Sequence, residues 1–352
     1  MRIDEEKLNR FVERAVADLA AGYGGVMIGL GHKLGLYRVM AGAGPLNSHE
    51  VAKRSGCAER YVREWLNSQA AGGYVEYHPA SSTYELTPEQ AQVLADENSP
   101  VFLPPAWEVP VSMSIDEHKT IEAFRSGNGV PWDDHDGRLF RGVAAFYRNG
   151  YQAHLVADWL PSLEGVIEKL QVGAKVADVG CGHGHSTIIM AKAFPNSRFW
   201  AFDSHAGAID AARENARKAG VDERVSFEVA RAKDYAVKDC DLICFFDCLH
   251  DMGDPVGAAR YARECLTDDG TIMLVEPFAS DRVEENFNPI GRLYYSASTA
   301  LCCAHSLAEE VGFALGAQAG ESALAQVFKK AGYHRFRQAK ATAFNLILEA
   351  RP

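Results

Sequence analysis

The chain has 352 residues, 47% of them apolar and 24% charged, a globular composition long enough for two or three folding units. Its 47 acidic residues outweigh 36 basic ones, and a formal charge of −11 repels phosphate backbones and anionic lipid, so neither nucleic acid nor a membrane is an expected partner. No apolar run approaches the roughly 18–20 residues of a membrane span, the start Met-Arg-Ile-Asp-Glu-Glu-Lys is unlike a signal peptide, and eight cysteines without a CxxC pair form no disulfide or zinc framework, which points to reduced thiols in the cytoplasm.

In chain order, Leu8, Phe11, Val12, Ala15, Val16 and Leu19 recur at helical spacing and predict an amphipathic helix over 5–20. Asn47 or Ser48 can cap a helix that runs through Lys53 and stops at Gly56; a second spans Ala58 to Ala71, with Val62, Trp65, Leu66 and Ala70 inward. Tyr74-Val-Glu-Tyr and Thr83-Tyr-Glu-Leu flank Pro79-Ala-Ser-Ser as a hairpin. Helix, turn, helix and two-stranded wing make residues 1–98 a winged-helix unit. Prolines and aromatics then crowd 99–170, which reads as a helical connector that caps a pocket.

From Lys175 onward strands alternate with helices. Lys175–Val179, Arg198–Phe202, Val225–Val229, Leu242–Phe246 and Thr271–Val275 are the strand candidates, with helices around 185–194, 206–219 and 255–266. That alternation predicts βαβ units and a doubly wound, Rossmann-like parallel sheet over 171–352. Residues 280–320 are an insertion, expected as a lid, before a last helix at 321–331. Arg335–Gln338 and Asn345–Glu349 close the sheet as an antiparallel pair. Cys240, Cys244 and Cys248 recur every fourth residue, but on a strand, so they do not gather on one helix face.

The strongest motif is Val176-Ala-Asp178-Val-Gly180-Cys-Gly182-His-Gly184, between a strand and a helix at the carboxyl edge of the sheet, where α/β ligands bind. The dinucleotide fingerprint is GxGxxG, whereas the glycines here are spaced GxGxG and His185 stands in the sixth position. A pyrophosphate wants a bare helix N-terminus. An acid two residues before the first glycine, with carbonyls turned outward around Gly180 and Cys181, instead suits the ammonium and sulfonium of S-adenosylmethionine. Asp203 ends the second strand 19 residues past Gly184, where a carboxylate can accept two ribose hydroxyls or, alternatively, cap the helix near Ala206. The third strand ends near Ala230-Arg-Ala232-Lys233-Asp234, the fourth in Phe246-Asp247. His183 and His185 read as local structure.

On these residues, 171–352 resembles the class I S-adenosylmethionine-dependent methyltransferases. The whole chain is similar to bacterial and plant-type small-molecule O-methyltransferases with an N-terminal winged-helix dimerisation domain, and to a bacterial methyltransferase family of that layout. The resemblance implies a cofactor, S-adenosylmethionine with S-adenosylhomocysteine as product, held by Asp178, Gly180, Cys181, Gly182, Gly184, Asp203, Ser204, Ala232, Lys233, Phe246 and Asp247. Many relatives carry Asp where this chain has Arg231, which leaves the adenine amino contact open, with Asp234 as a substitute. His250-Asp-Met-Gly-Asp254 matches the relatives' His-Asp-Trp-x-Asp segment, with Met252 for Trp, and implies His250 as the base, oriented by Glu276 and Glu321.

Transfer from a sulfonium requires no metal, so orientation carries much of the rate. A positioned base adds about 10²–10⁴-fold when the nucleophile is a hydroxyl. Phe146, Tyr147, Tyr294 and Tyr295 are the expected pocket lining, which suits a small apolar or aromatic methyl acceptor. Two alternatives stand beside O-methylation: N- or C-methylation that needs proximity alone, and a DNA-binding regulator that uses the winged helix. The second is disfavoured because residues 1–98 hold 10 Lys and Arg against 13 Asp and Glu. The N-terminal helix and winged-helix unit are expected to form a two-fold dimer.

Overall fold

A computed structural model describes residues 3–352. It divides into two compact units, one comprising the chain up to Val111 with Arg141–Asn149, the other Ser112–Phe140 with Gly150–Pro352.

The first unit opens with α1 (Glu5–Lys33), whose Asp4 side chain accepts the Glu6 and Lys7 amides. The apolar spacing predicted 5–20; the helix runs on through Gly22, Gly24, Gly25, Gly29 and Gly31, residues unfavourable in a helix interior. Two of them are required by close approach. A Cβ on Gly25 would lie 2.6 Å from the Trp107 ring, and one on Gly31 2.5 Å from Trp65, so packing carries the helix through. The short α2 (Leu36–Met40) leads to α3 (Ser48–Ser55), closed at its start by an Asn47–Glu50 capping box and at its end by left-handed Gly56. Then come α4 (Glu59–Ala71), the hairpin β1 (Glu76–His78) and β2 (Thr83–Glu85), and α5 (Pro88–Leu94). Ile28, Tyr37, Met40, Val51, Val62 and Leu66 form the core of this winged-helix unit. The predicted stripe on α1 stays outside it: Leu8, Phe11, Val12, Val16 and Leu19 are all exposed, Phe11 by 70%, as is Tyr23 beyond it.

α6 (Glu108–Ile115), α7 (Glu117–Ser126) and α8 (Arg138–His154) follow, then α9 (Val166–Val172) and the large sheet. Its strands are β3 (Lys175–Val179), β4 (Arg198–Asp203), β5 (Val225–Val229), β6 (Cys240–Phe246), β7 (Leu266–Pro277), β8 (Arg335–Ala341) and β9 (Asn345–Arg351), in the spatial order β5-β4-β3-β6-β7-β9-β8. The pairs from β5 to β7 are parallel, and β9 is antiparallel to both its neighbours. Connecting helices are α10 (His185–Ala193), α11 (Ala206–Ala219) and α12 (Pro255–Cys265); α13 (Pro289–Ala300) and α14 (Cys302–Ala308) occupy the predicted insertion before α15 (Gly320–Lys330). Strands buried on both faces read as near-continuous apolar runs, as β6 does. Ala258, Ala259 and Ala262 of α12, with Leu324 and Phe328 of α15, pack on Ile243, Phe245, Ile272 and Leu274. All eight cysteines are free, and burial pushes the Cys240 thiol up to about 12. The strand order reverses between β3 and β6, and this switch point is where such sheets open a crevice.

Candidate functional site

The glycine turn follows β3, and the Gly180 and Cys181 amides donate to the Phe202 carbonyl at 2.8 and 3.0 Å, which ties it to β4. Gly180 and Gly184 adopt φ of +78° and +75°, and each is also short of room. A Cβ would stand 2.6 Å from Cys248 Sγ at Gly180 and 2.7 Å from the Phe227 ring at Gly184. At Gly182 a Cβ would meet nothing within 4 Å, so that backbone borders open space.

Asp178 is wholly buried beneath the turn. Its Oδ2 accepts hydrogen bonds from Ser186 Oγ at 2.7 Å and Thr187 Oγ1 at 2.5 Å, while Oδ1 has no hydrogen-bond partner among the described residues. Burial outweighs those two hydrogen bonds and pushes its carboxyl up to about 6. Asp203 accepts the Gly182 amide on Oδ2 and the His205 amide on Oδ1, both at 2.9 Å, and burial raises it too. It therefore braces the glycine turn, and His205, not Asp203, sits at the N-cap position of α11. The His205 ring stacks 4.4 Å from Phe140, with Nδ1 2.5 Å from Asp133 Oδ1.

Beside Asp203, Ser204, Val229, Ala230, Arg231 and Asp234 line an open hollow of about 340 Å³. The Arg231 amide donates to Asp234 Oδ1 at 2.7 Å. Lys233 turns its ammonium to Asp254, 2.9 Å away, and Ala232 packs on the core, so neither side chain lines that hollow. At the end of β6, Phe246 is buried and Asp247 adopts φ +50°, unusual for a residue with a Cβ and a frequent mark of functional sites. The Asp247 carboxylate accepts Tyr151 Oη at 3.3 Å and Asn345 Nδ2 at 3.1 Å. Sequence reasoning missed Tyr151 and Asn345, since one lies on α8 and the other on the final strand with no motif around either.

His250 lies on a helical turn, Leu249–Asp251, just past β6, with 4% of its surface exposed. Its Nδ1 pairs with Glu276 Oε2 on β7, and Glu276 Oε1 accepts the Leu249 amide at 3.1 Å. Nε2 stands 2.8 Å from Asp251 Oδ1, but off the N–H direction, and that oxygen has no hydrogen-bond partner. Burial by itself would lower the imidazole's pKa, yet the Asp251 and Glu276 carboxylates outweigh it and hold it well above 6.5. Glu321 opens α15 half-buried, and both carboxylates on His250 come from elsewhere, so the structure brings together His250 and Glu276 without it. Asp251 and Cys302 complete the cluster instead; Cys302 was hidden because nothing local marks it. Tyr294 is buried and donates to the Phe344 carbonyl at 2.9 Å, with Asp247 and His250 close enough to affect its ionisation. Tyr295 is half-buried, and Phe146 and Tyr147 are neighbours on α8, their rings edge to face 5.0 Å apart.

The strand ends thus carry the buried acids Asp178 and Glu276 and the partly enclosed Asp247 and Asp251, with Glu276 and Asp251 set against the one imidazole. Cys248 sits among three of them, and its thiol is driven well up by burial and their charge. An edge so poor in cations suits a cationic ligand. The orphaned Asp178 Oδ1 and the free ground at Gly182 fit the ammonium-bearing tail of S-adenosylmethionine, and Asp203 fits its ribose.

Residues 22–96 match the family model of the Rv2258c-like winged HTH domain, and residues 170–332 match that of a methyltransferase domain. A curated relative, 27-O-demethylrifamycin SV methyltransferase of Amycolatopsis mediterranei, is 32% identical over 107 residues, which is 30% of this chain and 39% of that protein. The chain spans about two fifths of the length of the curated relatives it matches. Among solved structures, an O-methyltransferase family protein from Burkholderia thailandensis superimposes with a TM-score of 0.70 at 16% identity over 100% of this chain and 99% of that one. Human N-acetylserotonin methyltransferase in complex with S-adenosylmethionine gives 0.70 at 17% identity over 97% of each chain. At such identities the likeness speaks for the fold: an α/β class I methyltransferase sheet with an N-terminal winged-helix domain.

Proposed function

From a chain that joins an Rv2258c-like winged HTH domain to a methyltransferase domain, we propose an S-adenosylmethionine-dependent methyltransferase that acts on the hydroxyl of a small apolar or aromatic metabolite. The observation that carries this reading is Asp178 Oδ1, buried and without a hydrogen-bond partner among the described residues, beneath a glycine turn whose middle residue borders open space. The O-methyltransferase names of the curated relative and solved neighbours support oxygen as the acceptor atom.

Bound here, S-adenosylmethionine supplies a methyl group already activated on a sulfonium. Asp178 and the Gly180–Gly184 backbone take the amino-acid tail, Asp203 the ribose, and the hollow at Ser204, Arg231 and Asp234 the adenine, with Asp234 in place of the acid that relatives carry at Arg231. Tyr151 and Asn345 hold the Asp247 carboxylate beside the tail. Glu276 fixes the His250 ring through Nδ1; once the imidazolium has given up its Nε2 proton, which the raised pKa shifts to higher pH, Nε2 accepts the proton of an acceptor hydroxyl that has displaced the poorly aligned Asp251 oxygen. Tyr294 and Tyr295 belong to the acceptor side. Glu321 stands at the start of α15 as a more distant acid.

One observation favours a second reading: because Asp251 stands at Nε2, methylation of nitrogen or carbon by proximity alone leaves the pair undisturbed. Titration calorimetry tests the main reading. S-adenosylmethionine and S-adenosylhomocysteine each bind one site per chain and NAD gives no heat; silence from both sulfur ligands at millimolar concentration overturns it.

The exposed apolar face of α1 supports a homodimer through the N-terminal unit, which light scattering at micromolar protein checks as twice the chain mass. No described helix is long and apolar enough to cross a membrane, and the unpaired thiols are consistent with a cytoplasmic protein.

A further inference from the structure

We propose that His250, Asp251 and Cys302 form a binding site for a zinc-class divalent cation, whose occupation takes the lone pair on which acceptor deprotonation depends. One donor atom from each residue lies within 4.8 Å of the other two. Donors about 2.0–2.3 Å from a tetrahedral ion stand roughly 3.3–3.8 Å apart, so the 2.8 Å between His250 Nε2 and Asp251 Oδ1 opens by about half an ångström on binding.

Three observations give the site its chemistry. Metal-ligating histidines hand their other ring nitrogen to a carboxylate, and Glu276 on Nδ1 does this here, leaving Nε2 to face the cluster. Asp251 Oδ1 is buried and faces His250 Nε2 at 2.8 Å out of hydrogen-bond alignment, so among the described residues its lone pairs are held by charge contact rather than by an aligned donor. Glu276 and Asp251 together carry two negative charges against one imidazole, and the nearby His305 is itself set against Glu309 at 3.6 Å, so the enclosure has an excess of buried anion that a cation relieves. Thiolate, imidazole and carboxylate favour zinc over magnesium or calcium. Binding expels two protons to solvent, one from the Cys302 thiol and one from His250 Nε2, and leaves a fourth position open. At that position the ion meets the acceptor's space, so it competes with the acceptor and leaves donor binding intact.

The inhibition rests on the transferase reading; the binding does not, and the two fail separately. Metal-stripped full-length protein, dialysed against micromolar Zn2+, retains one equivalent per chain by elemental analysis. Co2+ in its place gives visible d–d bands with a near-ultraviolet thiolate-to-cobalt band. Cys302→Ser abolishes the thiolate band and weakens zinc binding at least tenfold; Asp251→Asn, kept as a second variant should the first not fold, weakens it likewise. Zinc retention unchanged in a folded variant, or no retention by the parent protein, overturns the site. Zinc that binds with S-adenosylmethionine affinity unchanged, yet leaves methyl transfer untouched, overturns the competition alone.

Discussion

The carboxyl ends of β3 and β4 differ from those of β6 and β7 in how the chain builds them. The first pair makes its site from backbone, with carboxylates that brace a turn: Asp203 holds the Gly182 amide, and glycines stand where a side chain has no room. The second pair makes its site from side chains that meet only after folding: His250 and Glu276 are 26 residues apart, and Cys302 is 52 residues past His250. A site made of backbone conformation leaves a compact motif; one made of distant side chains leaves none.

If the two edges are functionally separate, each can be broken without the other. The largest effect is expected from His250→Ala, which lowers kcat on a hydroxyl acceptor by about 10²–10⁴-fold while calorimetry finds donor affinity unchanged. Retained turnover would move the reaction to nitrogen or carbon. Asp203→Ala does the reverse: donor affinity falls by about 10–100-fold, because the turn loses its brace and the ribose its acceptor, at about 1.5–3 kcal/mol for a charged hydrogen-bond partner.

The pH dependence sharpens the donor edge. Asp178 titrates at about 6 in the folded chain against 3.8 ordinarily, so the folded state holds its proton more tightly. Its contribution to apoprotein stability is therefore complete below pH 3.8 and is lost as pH rises through 6. A cationic donor prefers the ionised carboxylate, and its affinity should rise about tenfold between pH 5 and 7. Asp178→Asn removes that slope, which calorimetry across the range reads directly. The smallest effect belongs to Tyr151→Phe, which takes one hydrogen bond from Asp247 and costs about 0.5–1.5 kcal/mol, read as a several-fold rise in donor KM with kcat held.

Much of this was legible beforehand. Strand positions in the sheet matched within a few residues, since apolar runs between Gly and Asp leave little choice, and β7 exceeded Thr271–Val275 at both ends: Leu266 pairs with Cys240 across an irregularity, and Glu276 and Pro277 pair with Leu346 and Asn345. Spacing put Gly180, Gly184 and Asp203 at the ends of the first two sheet strands, and there the structure has them. α1 extends beyond the predicted 5–20 because Trp107 and Trp65 pack against Gly25 and Gly31, contacts that no apolar spacing announces. Asp251 was read as part of a segment and Cys302 as a buried thiol, because a role created by tertiary proximity has no period or spacing to detect.

The place of β9 has a consequence for the order in which the protein is made. It lies between β7 and β8, brings Leu346 opposite Glu276, and delivers the Asn345 amide to Asp247. On a ribosome, the glycine turn and the first four parallel strands are available for pairing while that segment is still in the exit tunnel. The nascent molecule thus assembles its donor edge first, and the seam along β7 stays open until β9 slots in.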